Sequence, residues 1–276
     1  MSLSINYNGN FLDSNSDVVP VSNRSLRYGD GLFETMRWEN GRIRLEAFHF
    51  DRLFLGLKIL GFALPAHFTA DFLSGQIREL CEENNHRSAT RIRLNVYREE
   101  SPGYLPLKNR PGFIIESTEI PEQDQHPVNL TIYHDEKKST GILSNLKTNN
   151  YLLFIMAAGY AKQNGFTDAL ILNVQDNICE ATSSNIFFLK GKVVYTPPLS
   201  DGCVAGVMRR EILRLLPQLG FSINESSLKQ EMLFDMKGGF LSNAIRGIQP
   251  IHNVNEKVYP QKILSSLVRS LNKNIS

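Results

Sequence analysis

Lys147 stands in the run Ser144-Asn145-Leu146-Lys147-Thr148-Asn149-Asn150-Tyr151. An uncharged lysine amine adds to a carbonyl and forms a Schiff base. Its ordinary pKa works against this, so burial or a neighbouring cation must lower it. Taken alone, such a lysine reads as a solvated surface residue. The residues after it alter that reading. Asn149 and Asn150 are of helix-capping type, and Tyr151 through Gln163 carries a helical pattern. Lys147 is therefore expected in a loop ahead of a helix N-terminus, facing the positive end of its dipole.

Two later stretches supply complementary chemistry. Asn177-Ile178-Cys179-Glu180-Ala181-Thr182-Ser183-Ser184-Asn185-Ile186-Phe187-Phe188 places a carboxylate before small hydroxyl residues and a strand. Val204-Ala205-Gly206-Val207-Met208-Arg209-Arg210 is a small-residue turn entering a helix. Backbone amides at such a turn suit a phosphate. A lysine for an aldehyde, an acid for a ring nitrogen and a cradle for a phosphate are what pyridoxal 5'-phosphate asks of a protein.

The elements that must position these residues follow from periodicity. Ser4 to Tyr7 alternates and meets Asn8-Gly9, a hairpin signal. Leu32 to Trp38 and Arg42 to Leu45 flank a second, Asn40-Gly41. Helical spacing runs from Glu46 to Leu60, closed by Gly61, and from Thr69 to Glu83. Arg91 to Arg98 alternates strictly, with Arg91, Arg93, Asn95 and Tyr97 on one face. That face is either plainly solvated or lines a site for anions.

Strands are expected at 113–115, 128–133, 169–174, 186–190, 192–195 and 239–241. Helices are expected at 205–219, 228–236 and 261–273. Residues 119–127, polar with two prolines, read as a linker between an N-terminal domain 1–118 and a C-terminal domain 128–276. Hairpins mixed with helical crossings argue α+β rather than a regular doubly wound sheet.

The 276 residues suit one large domain or two modest ones, and a hydrophobic share of 42% allows a sizeable core. A net charge of +2 is too small to imply nucleic acid or an anionic membrane. Cys81, Cys179 and Cys203 are scattered and odd in number, which suggests neither a disulfide framework nor a metal site. Without a signal peptide or an apolar run long enough to span a bilayer, a cytoplasmic protein is expected.

The chain resembles the class IV aminotransferases, the fold type IV pyridoxal-phosphate enzymes. The resemblance begins at Arg27-Tyr28-Gly29-Asp30-Gly31-Leu32-Phe33-Glu34-Thr35, similar to the family's Y-G-D-G-x-F-E. His49-Phe50-Asp51-Arg52-Leu53 is similar to its H-x-x-R-L. The Lys147, Glu180 and Val204 segments follow, and the pattern ends near Ser242-Asn243-Ala244-Ile245-Arg246-Gly247-Ile248-Gln249-Pro250-Ile251. Each motif is weak alone; five in order are specific.

The resemblance implies two α/β domains of the D-amino-acid aminotransferase-like type, with cofactor and substrate between them, and a homodimer. It makes Lys147 the Schiff-base lysine and the base that moves the substrate's α-proton. It sets Glu180 against the pyridine nitrogen and Arg52 against the phosphate; read locally, Arg52 pairs with Asp51 or Glu46 instead. Val207 and Met208 offer backbone amides to the phosphate, Met208 standing where the family usually has a threonine. Asn243 and Ala244 belong to the last loop near phosphate and substrate. Tyr151 is either a cofactor contact or a core aromatic of its helix, and His49 reads as a packed helix residue.

The family includes transaminases and aminodeoxychorismate lyase. Phe33 stands where the D-amino-acid enzymes carry a tyrosine, and their R-x-H carboxylate trap has no match in Ser101-Pro102-Gly103-Tyr104-Leu105-Pro106, so that activity is disfavoured. Branched-chain enzymes read S-G-T-A-A-E in the last loop; Ser242-Asn243-Ala244-Ile245-Arg246-Gly247-Ile248-Gln249-Pro250 is closer to the lyase pattern T-N-S/A-x-x-G-I-x-P. Chorismate-like substrates carry two carboxylates, and Arg91, Arg93, Arg98 and Arg246 offer cations. Arg93, near the strand centre, is the expected ligand of a ring carboxylate, with a salt bridge as its alternative. The lyase is the expected activity, a branched-chain-type aminotransferase the second, and an inactive binding protein of the same fold the remote third.

Overall fold

The computed structural model describes residues 3–121 and 126–275. The chain divides into two compact units, Met1–Gln123 with Lys147–Asn150, and Asp124–Leu146 with Tyr151–Ser276. The lysine-bearing segment thus groups with the N-terminal unit, not with the rest of 128–276. Of the expected linker 119–127, Glu119 closes a strand, and Glu122 to Gln125 lie outside the described residues.

The first unit contains β1 (Ser4–Tyr7), β2 (Asn10–Asp13), α1 (Arg24–Tyr28), β3 (Gly31–Glu39), β4 (Arg42–Ile43), α2 (Glu46–Ile59), α3 (Ala70–Glu83), β5 (Thr90–Arg98) and β6 (Pro111–Glu119). Its strands form one antiparallel sheet in the order β2-β1-β6-β5-β3-β4. Both expected hairpins are present. Asn8-Gly9 and Asn40-Gly41 adopt positive φ at both central residues, the turn that matches strand twist. Helix α2 stops at Ile59 with Gly61 at φ +73°, a left-handed stop that glycine takes at little cost.

Period two decides the faces of β3. Leu32, Glu34, Met36 and Trp38 are all buried, and this face lies under α2, which buries His49, Phe50, Leu53 and Leu57. Phe33 and Thr35 point the other way and pair with Asn95 and Arg93 of β5.

The second unit contains β7 (Val128–Lys138), α4 (Leu152–Gln163), β8 (Asp168–Asn173), β9 (Ile178–Ala181), β10 (Asn185–Lys190), β11 (Val193–Thr196), α5 (Val207–Leu215), β12 (Ser222–Glu225), β13 (Gly238–Asn243), β14 (Gly247–Val254), β15 (Lys257–Val258) and α6 (Gln261–Asn274). Its sheet runs β12-β11-β10-β13-β14-β7-β8-β9, with β15 on β14. Three of these pairings, β11–β12, β14–β7 and β7–β8, are parallel and the rest antiparallel. The mixed α+β class expected from the sequence holds. No helix among the described residues is long and apolar enough to cross a membrane.

Several expectations are corrected. Helix α4 begins at Leu152 with Tyr151 at its N-cap position and no side-chain cap; Asn149 and Asn150 lie ahead of that position, and their Nδ2 groups donate to Ser25, Asn95 and the Gly29 carbonyl. The helix expected at 205–219 is shorter; Pro217 lacks an amide proton, and the chain continues as a 3-10 turn at Pro217–Leu219. The helix expected at 228–236 is a 3-10 turn, Gln230–Asp235.

Candidate active site

In the first unit the Lys147–Asn150 segment is fastened to β3. The Phe33 amide donates to the Lys147 carbonyl at 2.9 Å, Leu32 bridges Thr148, and the Asn149 amide donates to the Gly31 carbonyl at 3.1 Å. The segment takes the edge of β3 that β4, pairing only Trp38 and Glu39, leaves open. Asn149 Nδ2 donates to Ser25 Oγ at 2.8 Å and to Asn95 Oδ1 at 3.0 Å. The alternating polar face of β5 therefore holds the lysine segment through Asn95.

The glycines around Asp30 acquire a physical reason. A Cβ on Gly31 would lie 2.5 Å from the Val96 carbonyl oxygen and 2.6 Å from Asn149 Nδ2. Gly29 is left-handed at φ +65° and caps α1, and a Cβ there would meet Asn150 Oδ1 at 2.4 Å. Between them, Asp30 pairs with two arginines, Arg24 at 2.7 Å and Arg98 at 3.1 Å. Arg98 is buried and also donates to Asn109 and the Leu60 carbonyl. It is a structural cation, which removes it from the arginines offered to a substrate; Arg91 and Arg246 are exposed.

Two cations share one aromatic ring. The Lys147 ammonium and the Arg93 guanidinium each lie 4.0 Å from the Phe33 ring centroid. Such contacts contribute about 0.5–2 kcal/mol depending on desolvation. Arg93 also approaches Glu116 at 3.9 Å, both side chains being partly exposed.

Arg52 reaches from α2 to Glu34 on β3. Its Nε and Nη2 donate to the two oxygens of Glu34 at 2.7 and 2.5 Å, a bidentate fork. His49 Nδ1 meets Glu34 Oε2 at 2.7 Å. Burial alone would raise the Glu34 carboxyl, but the Arg52 guanidinium and the His49 hydrogen bond together bring it down to about 2. Burial drives His49 below its ordinary value against the pull of Glu34. A neutral imidazole with its proton on Nδ1, donating to the carboxylate, satisfies both shifts. His49 is thus a packed residue, but one that fixes an ion pair rather than filling space.

In the second unit Glu180 lies on β9 and is 3% exposed. Lys138 Nζ donates to its Oε1, and the Val204 amide donates to its Oε2 at 3.0 Å. The turn ahead of α5 is held by Asn145, whose Nδ2 donates to the carbonyls of Leu199 and Cys203 at 2.8 and 2.7 Å and whose carbonyl accepts from Ala205. Asn185 Nδ2 donates to the Val204 carbonyl, and a Cβ on Gly206 would fall 1.9 Å from Asn185 Oδ1. The amides of Val207 and Met208 come at the first two positions of α5, before its own hydrogen-bond ladder begins at Arg210. Both side chains are buried, so only their backbones could meet an anion.

Asn243 donates from Nδ2 to Ser184 Oγ at 2.9 Å and accepts the amides of Ile245 and Arg246. This brings the last loop, with Ala244 at its tip, to the hydroxyl residues that follow Glu180. The Tyr151 and Phe154 rings are tilted by 30° with centroids 4.6 Å apart, and Tyr151 packs partly buried against the α4 core. Cys179 and Cys203 are buried, and burial pushes the Cys203 thiol up to about 12, so neither is a nucleophile at neutral pH.

Four site residues, Phe33, Arg52, Arg93 and Lys147, therefore belong to the first unit, and Glu180, Val207, Met208, Asn243, Ala244 and Tyr151 to the second. Sequence reasoning missed Lys138, Ser184 as a partner of Asn243, and the Glu34–His49 contact. Lys138 sits in the charged run Asp135-Glu136-Lys137-Lys138 and carries no sequence signal of burial.

Comparison with known proteins gives concordant matches. A sequence model of the amino-transferase class IV family matches residues 31–254. An aminodeoxychorismate lyase of Vibrio harveyi is 27% identical over 94% of this chain and 96% of its own length. A putative branched-chain-amino-acid aminotransferase of Methanocaldococcus jannaschii is 27% identical over 98% of this chain and 94% of its own. Among solved structures, a branched-chain aminotransferase of Thermoproteus uzoniensis, crystallised with norvaline, superposes with a TM-score of 0.90 at 26% identity, covering 99% of this chain and 94% of that one.

Proposed function

The chain belongs to the class IV aminotransferase family, and from that premise we propose that it is a pyridoxal 5'-phosphate enzyme that cleaves 4-amino-4-deoxychorismate to pyruvate and 4-aminobenzoate. The donor set fits the cofactor: a lysine amine, a buried carboxylate already oriented by two donors, and a glycine-preceded helix N-terminus. The bound cofactor supplies an electron sink for negative charge developing at the substrate's α-carbon. Lys147 would hold the cofactor's aldehyde carbon and take the proton from that α-carbon. Glu180 would keep a proton on the ring nitrogen. The amides of Val207 and Met208, with Arg52 steadied by Glu34, would receive the phosphate. Asn243 and Ala244 would line the approach to it.

The observation that carries the lyase reading is the pair of cations on the Phe33 ring. A guanidinium held on the same ring as the reactive amine suits a substrate with a second carboxylate, whose oxygens match its fork. A branched-chain-type aminotransferase is the second reading, favoured by the approach of Arg93 to Glu116, which compensates the guanidinium without a substrate. In either case a homodimer is the proposed assembly. It is supported by the exposed apolar stripe Leu152, Ile155 and Met156 on α4, whose opposite face is already buried.

One experiment separates the readings. The purified protein is incubated with aminodeoxychorismate and, separately, with leucine plus 2-oxoglutarate. Formation of 4-aminobenzoate supports the lyase. Brisk formation of glutamate with no 4-aminobenzoate overturns it in favour of the aminotransferase.

A further inference from the structure

Lys138 is the last residue of β7 and is buried, its side chain 10% exposed beside a Glu180 side chain that is 4% exposed. Burying a charge is costly unless it is paired, and removing one partner of such a pair leaves the other uncompensated. The geometry is built rather than incidental. The register of β7 against β8 shifts between Tyr133 and Lys138, where Lys138 pairs with Asn173, and a shift of this kind re-aims a side chain. The Val174 amide donates to the Lys138 carbonyl at 3.1 Å, which pins the backbone. The Phe154 ring centroid lies 5.2 Å from the ammonium, within cation–π range.

Glu180 thus has one oxygen on a cation and the other on the Val204 amide. Turning the carboxyl group about its bond would break both contacts at once, so its plane is set by the protein. Each carboxylate oxygen has two lone pairs, so room remains for a third donor. That donor, however, meets a carboxylate whose charge is already shared with an ammonium.

We propose that Lys138 is a positioning residue which, through Glu180, both aims the carboxylate at the cofactor's ring nitrogen and moderates how strongly that carboxylate holds the ring-nitrogen proton. The proposal rests on the assignment of Glu180 to that nitrogen. A merely structural counter-ion would stabilise the protein without distinguishing cofactors that differ at the ring nitrogen. A moderating one must distinguish them, because the ammonium repels a protonated ring nitrogen and is indifferent to a ring carbon in the same place.

The test is a binding ratio on the full-length protein stripped of cofactor. Dissociation constants are measured for pyridoxal 5'-phosphate and for its 1-deaza analogue, which keeps aldehyde and phosphate but replaces the ring nitrogen by C–H. The wild-type protein should favour the natural cofactor. Lys138→Gln, which removes the charge and keeps a donor to Glu180, should increase that preference about tenfold, the scale of one charged contact. Lys138→Met serves the same purpose should the glutamine protein fail to fold. Lys138→Arg, which restores a cation, should return the ratio to within about twofold of wild type.

If the glutamine and methionine proteins lose affinity for both ligands in equal proportion, Lys138 is only structural and the proposal fails. Glu180→Gln separates this failure from that of the underlying assignment. If Glu180→Gln abolishes the wild-type preference while the Lys138 variants leave it unmoved, Lys138 alone is wrongly assigned. If Glu180→Gln keeps the preference, Glu180 does not face the ring nitrogen and both assignments fall.

Discussion

Replacing Glu34 by glutamine should destabilise the protein by an amount that depends on pH in a defined way. Glu34 is 1% exposed, takes two hydrogen bonds from Arg52 and pairs with His49. Arg52 and His49 hold its carboxyl down to about 2, against an ordinary 4.5. At about 1.4 kcal/mol per unit, that difference corresponds to roughly 3 kcal/mol favouring the folded state at neutral pH. The folded value is depressed, so this stability is fully present above 4.5 and lost as pH falls through about 2. By linkage, more than half of it should be gone at about pH 3. His49 acts in the same direction at higher pH: its imidazole is held below its ordinary 6.5, so protonation costs stability as pH falls below that value. Urea unfolding of wild type and Glu34→Gln at pH values from 7 down to 3 gives the difference directly. The gap should be about 3 kcal/mol at pH 7, enlarged by any cost of leaving Arg52 uncompensated, and should narrow steadily below 4.5. A gap that stays constant to pH 3 would refute the claim that a strongly acidic Glu34 holds α2 to β3.

Lys147→Ala should lose both turnover and the visible absorption of the cofactor-loaded protein; retention of either contradicts its assignment as the attachment point. Gly31→Ala should destabilise by about 1–3 kcal/mol, since its Cβ has no room beside the Val96 carbonyl and Asn149, and a thermal melt indistinguishable from wild type would show that the segment yields freely. Arg93→Leu should raise KM for aminodeoxychorismate about tenfold or more, the 1.4 kcal/mol scale of one charged contact, with little effect on a side reaction with small neutral amino acids; an equal loss on both substrates would remove Arg93 from the carboxylate site.

The hairpins and long helices were legible because their signals are local. Asn-Gly turns require positive φ, and both occur where expected. The short strand bearing Glu180 was not legible: Ile178 to Ala181 is buried on both faces, so it lacks the alternation that marks a half-buried strand. Asn149 and Asn150 had the right chemistry to cap a helix, but the helix starts one residue later, with Tyr151 at the N-cap, and their amide nitrogens serve long-range contacts. Lys138 was hidden because a buried lysine and a solvated one look alike in sequence. Glu34 did leave a trace. It interrupts the apolar series Leu32, Met36, Trp38 on a single strand face, and a carboxylate there calls for a buried cation. The cation, Arg52, lies on the helix that covers that face.

The grouping of Lys147–Asn150 with residues 1–123 has a consequence for synthesis. The edge of β3 at Leu32 stays without its partner until the chain has been translated past Thr148. By then the ribosome has made β7, which belongs to the other unit, and the chain must return to that unit at Tyr151. The N-terminal unit therefore cannot finish folding ahead of the rest in the order in which it is made. No cut between 123 and 147 yields two complete pieces: an N-terminal fragment lacks the strip that carries the reactive amine, and a C-terminal fragment carries that strip with nothing to receive it.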